Sequence, residues 1–400
     1  MGRDCAARIL PAPHLENQMT ATILGIESSC DETAAAVVRG GREILSSVVA
    51  SQDEVHRKYG GVVPELASRE HLRRIVPVVR EALERAGLDF NGIVAIGVTQ
   101  GPGLIGSLLV GYTYGQTLAL SLGKPLVPVN HLEGHVHAVF LEAQQSGGGV
   151  QKRLPELPAV CLIVSGGHTV LYDVRAEDTR AAAPPDYPAF RCSYARIGAT
   201  RDDAAGEAYD KVAKLLALGY PGGPVLDQLA KHGNAGAVQF TAPKTRGNPL
   251  DFSFSGIKTA VLRHIRANAA FEKEIEARSA ALRAGVRRAA ELLPLCSRAT
   301  LDLVASFQRS VVADLVHRTL AAAEQNAARC VLVSGGVAAN SELRATFEQE
   351  GGQRALPVFF PSRPLSTDNA AMIAAAAYPR LLAGEIAKDG VGAQANLPLA

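Results

Sequence analysis

The sequence lacks paired cysteines, long apolar runs and any strong charge bias. Its six cysteines, at 5, 30, 161, 192, 296 and 330, form no CxxC spacing. That excludes a zinc ribbon or a thioredoxin-like redox pair. Isolated thiols in a 42.0 kDa chain fit a reducing, cytoplasmic setting better than a disulfide framework. The longest apolar runs, 159–164 and the Ala-rich 370–378, fall short of the ~20 residues of a membrane span. Lys plus Arg (41) nearly balances Asp plus Glu (39), a net charge of +2. Composition therefore advertises neither a nucleic-acid nor a membrane surface, although a local patch is compatible with it. Residues 261–330 carry eleven Lys/Arg against seven Asp/Glu, with sparse aromatics. The opening residues have no apolar signal core, and Arg3 and Arg8 are offset by Asp4 and Glu16. With Met19 just ahead of the first strand-like run, 1–21 reads as a disordered N-terminal extension.

What is present is an ordinary globular composition, 47% apolar and 20% charged over 400 residues, with room for two or three domains. Strands and helices alternate. Short β-branched runs bounded by Ser, Asp or Gly predict strands at 22–27, 34–39 and 43–50. Apolar residues at helical spacing (Leu66, Leu72, Ile75, Val76, Val79, Leu83) predict a helix over 64–86. A strand at 94–99 runs into Gly101-Pro102-Gly103, then a mostly apolar, buried helix over 104–122, a strand at 125–130 and a helix over 132–145. The Gly/Pro/polar stretch 144–157 is the best boundary. Beyond it come strands at 159–165 and 168–175, and helices at 203–218, 223–232, 256–267, 271–292 and 299–325. A strand at 330–334, a helix from Asn340, a strand at 357–361 and a helix from Thr367 close the chain. Two strand–turn–strand units with polar tips, 23–38 and 160–174, open the two halves. They suggest a duplicated unit, mixed sheets flanked by helices, and two tips facing across a cleft as a phosphate clamp.

Three motifs could carry chemistry. Ser165-Gly166-Gly167-His168-Thr169 and Ser334-Gly335-Gly336-Val337 each follow an apolar strand. Glycines there let backbone N–H groups approach a phosphate or sugar, and the helix start near Asn340 favours an anion. There is no GxxxxGK[ST], and Gly101–Gly106 lacks the acidic residue that a dinucleotide fingerprint requires. His131 and His135 stand four apart on a predicted helix, so both imidazoles share a face, a metal-chelating spacing. Asn130 could cap that helix. Asp368, in Ser366-Thr367-Asp368-Asn369, could supply a third ligand or merely cap the last helix. Glu133 sits two after His131 rather than one, off the histidine face, which argues against an HExxH protease. Asp203, Glu207 and Asp210 share a face and could hold ribose hydroxyls or a cation, or could be a solvated helix face.

Taken together, GIESSCDETAAAVV, GGVVPELASREH, TQGPGLIGSLLVG, NHLEGHVHA, LIVSGGHT, DDAAGEAYDKVAKLL, YPGGP, FSFSGIKTAV, VSGGVAANSELR and STDNAAMIA closely resemble the TsaD family of tRNA threonylcarbamoyladenosine synthases, once named glycoproteases. The likeness runs from Ile23 to about Tyr378, on the bacterial and mitochondrial branch. It implies an α/β fold of the actin/Hsp70/sugar-kinase (ASKHA) type, two duplicated lobes around a central nucleotide cleft. The lobes would be 22–150 and 151–385, the latter with a helical insertion, followed by a tail at 386–400. It implies one Fe(2+) per chain, or Zn(2+), on His131, His135 and Asp368. Substrate contacts would come from Ile163, Val164, Ser165, Gly166, Gly167, Asp210, Gly223, Asp227 and Asn340. The departures from the family pattern are the N-terminal extension and the spacer 146–149.

The implied reaction moves a threonylcarbamoyl group from threonylcarbamoyl-AMP to the exocyclic amine of the adenosine beside the anticodon, in tRNAs reading codons that begin with adenine. The donor is a mixed anhydride, so positioning and charge stabilisation matter more than a covalent nucleophile. Two imidazoles and a carboxylate suit Fe(II) or Zn(II). Implied partners are the tRNA, a non-catalytic TsaB-like paralogue and a small TsaE-like P-loop ATPase; the mitochondrial branch acts without those two proteins. Competing readings are a small-molecule kinase of the same superfold, which would not need HxxxH, a metalloprotease, and a silent scaffold paralogue, against which the intact His131, His135 and Asp368 speak.

Overall fold

A computed structural model describes residues 21–144, 154–177, 191–240, 247–388 and 390–399. Residues 1–20 of the expected extension and the spacer 146–149 lie outside them. The first sheet comprises β1 (Thr22–Glu27), β2 (Glu32–Arg39), β3 (Glu43–Ser51), β4 (Ala95–Gly101) and β5 (Leu126–Asn130). Its order is β3-β2-β1-β4-β5. The first three strands pair antiparallel, and β4 and β5 add in parallel. The second sheet comprises β6 (Ala159–Val164), β7 (Thr169–Ala176), β8 (Cys192–Ala199), β9 (Cys330–Ser334) and β10 (Val358–Phe359). Its order, β8-β7-β6-β9-β10, has the same senses. The repeat read from two hairpins thus extends to two whole sheets. This is the duplicated α/β topology of the actin/Hsp70/sugar-kinase type.

Each sheet is covered on both faces. On the first, Leu24, Ile26, Ile96 and Val98 face α2 (Pro64–Ala86) and α3 (Ile105–Leu122), while Ile23, Ala34, Ala36 and Val127 face α13 (Ala370–Leu382). On the second, Val160, Leu162, Val331 and Val333 join a large core with α5 (Ala205–Leu215) and α10 (Arg298–Gln325); Cys161, Ile163 and Leu332 face α4 (His131–Gln144). The two helices between the sheets are crossed. α4 leaves the first sheet but packs under the second; α13 follows the second sheet but packs under the first. Its alanine run permits the close approach. A Cβ on Gly25 would lie 2.2 Å from the Ala370 carbonyl oxygen, and one on Gly97 would lie 2.8 Å from Ala377 Cβ. Where α4 and α13 meet, a Cβ on Gly134 would lie 2.9 Å from Ile373 Cδ1.

Several expectations change. The helix over 104–122 is not buried all round. Ser107, Leu108, Gly111, Tyr112, Gly115 and Ala119 face the sheet, whereas Ile105, Leu109 and Leu120 are exposed, Leu120 at 77%. Leu72 (66% exposed) and Val76 on α2 are exposed too. An apolar residue at helical spacing fixes a face but not what covers it. The helix expected over 271–292 breaks into α8 (Ala270–Arg283) and α9 (Ala289–Leu292), because Gly285 adopts a φ of +99° and ends the first piece. β8 was not expected; it is a half-exposed edge strand held by pairing to β7, without a local signal. The stretch expected as a plain tail is stitched to the first sheet. The Ala387 N–H donates to the Leu126 carbonyl (2.8 Å), and the Gln394 N–H to that of Gln100 (2.8 Å). The Asn130 amide donates to the carbonyls of Leu397 and Pro398, both at 3.2 Å.

Candidate metal centre and nucleotide cleft

The crossed helices begin side by side, and their starts build the centre. β5 ends at Asn130, whose Oδ1 accepts the Leu132 N–H at 2.9 Å, as the capping expectation required. Asn369 does the same for α13 through the Met372 N–H at 3.0 Å. Such caps are worth about 1 kcal/mol each, and here they also fix where the neighbouring side chains point. His131 Nε2 lies 3.6 Å and His135 Nε2 3.2 Å from Asp368 Oδ1. One ligand atom from each of the three residues lies within 4.8 Å of the others.

The surroundings suit a cation. Glu27, wholly buried at the end of β1, accepts from the Thr99 hydroxyl (2.6 Å) and contacts His131 Nδ1 (3.1 Å). A carboxylate on Nδ1 leaves His131 Nε2 to face Asp368, the tautomer that metal-binding histidines adopt. Neither ring nitrogen of buried His135 has a hydrogen-bond partner among the described residues. The 3.2 Å approach to Asp368 is therefore not aligned as a hydrogen bond. With neutral imidazoles, Glu27 and Asp368 place two negative charges in one corner, which a divalent ion would offset. Burial pushes the His131 pKa down, but Asp368 and Glu27 outweigh it and hold it at about 9. Burial likewise opposes ionisation of Asp368, yet His131 and His135 hold it well below the usual carboxylate range. Burial keeps His135 below its ordinary value. The donor set fits a resident divalent metal.

Glu133 points elsewhere. Its Oε2 is 2.8 Å from Arg380 Nη2 and accepts from Arg380 Nε at 2.9 Å. Arg380 also holds Glu385, which pairs with Arg191. Burial raises the Glu133 pKa against the pull of Arg380. This carboxylate ties α4 to α13 and is not turned to the histidines.

The residues expected to meet the nucleotide fall into two groups. Ile163 and Val164 end β6 and are fully buried, and Ser165-Gly166-Gly167 forms its turn. The Gly206 N–H donates to the Ser165 carbonyl at 3.1 Å, seating the start of α5 on this turn. Asp210 on α5 accepts the Gly222 N–H at 2.7 Å, beside Gly223 at the start of α6 (Gly222–Ala230). In the second group, Asp227 Oδ1 accepts from the Ser341 N–H (3.1 Å) and hydroxyl (2.8 Å). Asn340 caps α11 (Ser341–Gln353) through the Leu343 N–H. A Cβ on Gly166, Gly167, Gly223 or Gly336 would meet nothing within 4 Å, so these glycines face open space. Gly335 differs: at φ +98° its Cβ would lie 2.4 Å from the Val164 carbonyl oxygen, so it joins β9 to β6. The shared acidic face does not form. Lys211 binds Asp203 (2.7 Å) and Glu207 (2.8 Å), leaving Asp210 apart. Burial raises the Asp210 pKa to about 6; the Gly222 N–H opposes that, and Asp31 and Asp53 add to it.

Two residues at the centre were missed by sequence reasoning. Glu27 carried no signal, being an acid inside a strand. His168, expected only as part of a turn, brings its ring to 6.3 Å from that of His131. Burial first, then His131 and His135, push its pKa down to about 4. Both hairpin tips therefore reach α4: one through His168, the other through the Ser29 hydroxyl, 3.2 Å from His131 Nδ1.

A sequence model of the family described as TsaD, tRNA N6-adenosine threonylcarbamoyltransferase, matches residues 43–375. A tRNA N6-adenosine threonylcarbamoyltransferase of Koribacter versatilis is 57% identical over 393 residues, 95% of this chain and 99% of its own. The protein of that name from Moorella thermoacetica is 48% identical, covering 94% of this chain and 97% of its own. That of Symbiobacterium thermophilum is 49% identical, covering 89% and 90%. Among solved structures, the HypF protein of T.kodakarensis aligns at 14% identity and a TM-score of 0.49, over 93% of this chain and 49% of that one. The chain belongs to the TsaD family of tRNA N6-adenosine threonylcarbamoyltransferases.

Proposed function

We propose that this chain transfers a threonylcarbamoyl group from threonylcarbamoyl-AMP to the exocyclic amine of the adenosine beside the anticodon, using a divalent metal, Fe(2+) or Zn(2+), held by His131, His135 and Asp368. Family membership supports the reaction. The observation that carries the metal is the convergence of three ligand atoms within 4.8 Å beside a second buried carboxylate, Glu27. When bound, the metal would supply a positive charge on which donor oxygens can be oriented.

The chain's own residues then do the rest. Gly166 and Gly167 in the first turn and Gly336 ahead of α11 lie on open ground, where a phosphate can approach without meeting a Cβ. Asp210, Asp227 and Asn340 offer acceptors and an amide to ribose and base. The adenosine amine attacks the carbamoyl carbon. The new bond is N–C, and the bond that breaks joins that carbon to the phosphate oxygen of AMP, which leaves with the electron pair while the amine gives up its proton to that phosphate or to water. Adenine's amine is a weak nucleophile, so holding both reactants in one corner supplies much of the acceleration.

The proposal includes a cytoplasmic setting, supported by the free thiols of Cys30, Cys161, Cys192 and Cys296. No helix among the described residues is long and apolar enough to cross a membrane. It also includes a TsaB-like partner on the exposed apolar face of α2 and α3, with a TsaE-like ATPase as third component. Leu72, Val76, Ile105 and Leu109 are the support: water leaves them uncovered on two helices that pack together. Sedimentation of Leu72→Glu with Leu109→Glu should show the paired species lost. The test of the activity is nucleoside analysis of tRNA incubated with threonine, bicarbonate, ATP, the adenylate-forming enzyme, the partners and this chain. Absence of threonylcarbamoyladenosine would refute it.

A further inference from the structure

The chain has nine tyrosines, eleven phenylalanines and no tryptophan. Among the described residues, only one of those aromatic rings is exposed: Tyr59, at 47%. It lies between α1 (Asp53–Arg57) and α2. The turn that presents it is fixed from below. The Tyr59 N–H donates to the His56 carbonyl (2.9 Å) and the Gly60 N–H to that of Arg57 (3.1 Å). His56, fully buried, accepts the Val63 N–H on Nδ1 at 3.2 Å. Gly60, at φ +69°, completes the turn.

Cations gather around the ring from two separate parts of the chain. Lys58 Nζ sits 4.9 Å from the Tyr59 ring centroid. Lys214, exposed on α5, places its ammonium 3.5 Å from where a Cβ on Gly60 would be. No ion pair holds Lys58 or Lys214 among the described residues. Arg57 donates to the Tyr220 carbonyl at 3.3 Å, which binds the turn to the loop ahead of α6. That loop leads directly to Gly222 and Gly223, beside Asp210. The turn therefore stands on the rim of the cleft, joining the first lobe to the α5–α6 side of the second.

We infer that residues 57–60 and Lys214 form the platform on which the anticodon loop of the substrate tRNA docks. The inference rests on the reading of the substrate as tRNA. Tyr59 stacks on an unpaired base of the loop, while Lys58 and Lys214 contact flanking phosphates. An exposed ring beside free cations is the chemistry that holds single-stranded nucleic acid, since every base offers a π face. A base next to the target adenosine held on the rim would leave the adenosine to turn inward past Asp210. Lys58 and Lys214 lie far apart in sequence, so composition does not advertise the patch.

The test measures binding of a synthetic anticodon stem–loop RNA, and separately KM for tRNA and for threonylcarbamoyl-AMP, using the full chain with its partners. Tyr59→Ala should weaken RNA binding about tenfold, the scale of one lost base stack, with adenylate KM unchanged. Tyr59→Phe should stay within about twofold, since the ring remains. Lys58→Ala with Lys214→Ala should flatten the slope of log affinity against log salt by about 1.4, at ~0.7 per single-strand phosphate contact. RNA affinity and salt slope both at wild-type values in the Ala variants would overturn the inference, as would an adenylate KM that rises in parallel. If wild type bound the stem–loop but formed no modified adenosine, the proposed activity would fall while the binding measurements still decided the rim.

Discussion

The metal corner and the Ser-Gly-Gly side of the cleft are built on opposite principles. The corner is made of side chains: His131, His135, Asp368 and Glu27 are mostly or wholly enclosed. The proposed nucleotide side is bare backbone: at Gly166, Gly167, Gly223 and Gly336 a Cβ would meet no protein atom within 4 Å. The first region is therefore broken by removing atoms, the second by adding them. Mutations that ignore the distinction, such as alanine scanning throughout, would report only on the corner.

The largest effect should come from Asp368→Asn. It takes away the anionic ligand and leaves two neutral imidazoles, too weak a set to retain a metal against water. Metal analysis should find the ion gone, and tRNA modification should fall by at least ~1000-fold, a loss of about 4 kcal/mol or more in transition-state stabilisation. Glu133→Gln supplies the contrast. It loosens a buried pair to Arg380 and should cost about 1–3 kcal/mol of stability, measured by denaturant unfolding. Metal content and turnover per folded molecule should hold, because Glu133 is turned away from the histidines. A protease would give the reverse ranking, with cleavage of a denatured protein lost in Glu133→Gln.

Next in size is Glu27→Gln. The amide can still contact His131 Nδ1 but supplies no charge. Replacing the partner behind a metal-binding histidine typically costs 10- to 100-fold in metal affinity. Competition against a chelator should show that drop. An unchanged affinity would mean the corner does not depend on its second carboxylate.

On the backbone side, Gly167→Val and Gly336→Val should fold as wild type, since a Cβ there meets nothing. They should weaken adenylate binding about tenfold by filling the space that a phosphate needs. Calorimetry with a non-hydrolysable adenylate would measure it. Unchanged affinity would make these turns structural only. Gly335→Val is the opposite control: its left-handed φ and its contact with Val164 should cost folding itself.

Much of the backbone side could be read from sequence, because its signals are local. A β-branched run ending in Ser-Gly-Gly carries its turn with it, and both such turns sit where expected. The i, i+4 histidines were legible for the same reason, and their meeting with Asp368 required only that two helices start together. Glu27 was not legible: its role depends on β1 pairing with β4, which brings it to Thr99 and α4. His168 needed the second sheet to be laid against α4 before its ring could approach His131. The face of α3 failed for a different reason. An apolar stripe says that water is unfavourable, and Leu109 cannot specify whether its own chain or a partner excludes it. Tyr59 and Lys214 lie far apart in sequence, and only the rim brings them together.

The smallest effect is a titration that sets one carboxylate against its surroundings. Asp210 has its pKa raised to about 6, by burial first and then by Asp31 and Asp53 against the Gly222 N–H. Its neutral form is favoured in the folded state. Between the unfolded value near 3.8 and about 6, the native state holds the extra proton, so this group's contribution to stability falls as pH rises through that window. Binding runs the other way. A ribose hydroxyl donates better to the ionised carboxylate, so adenylate affinity should be halved near pH 6 and fall tenfold per unit below it if ionisation is required. Asp210→Asn should flatten both trends, giving affinity that is lower at pH 8 but level between pH 5 and 8. Calorimetry over that range, paired with unfolding at each pH, measures the two slopes on the same samples. Parallel slopes in wild type and Asp210→Asn would show that the proton sits elsewhere in the cleft. Opposite slopes lost together in the variant would place the titrating group on α5, outside the metal corner.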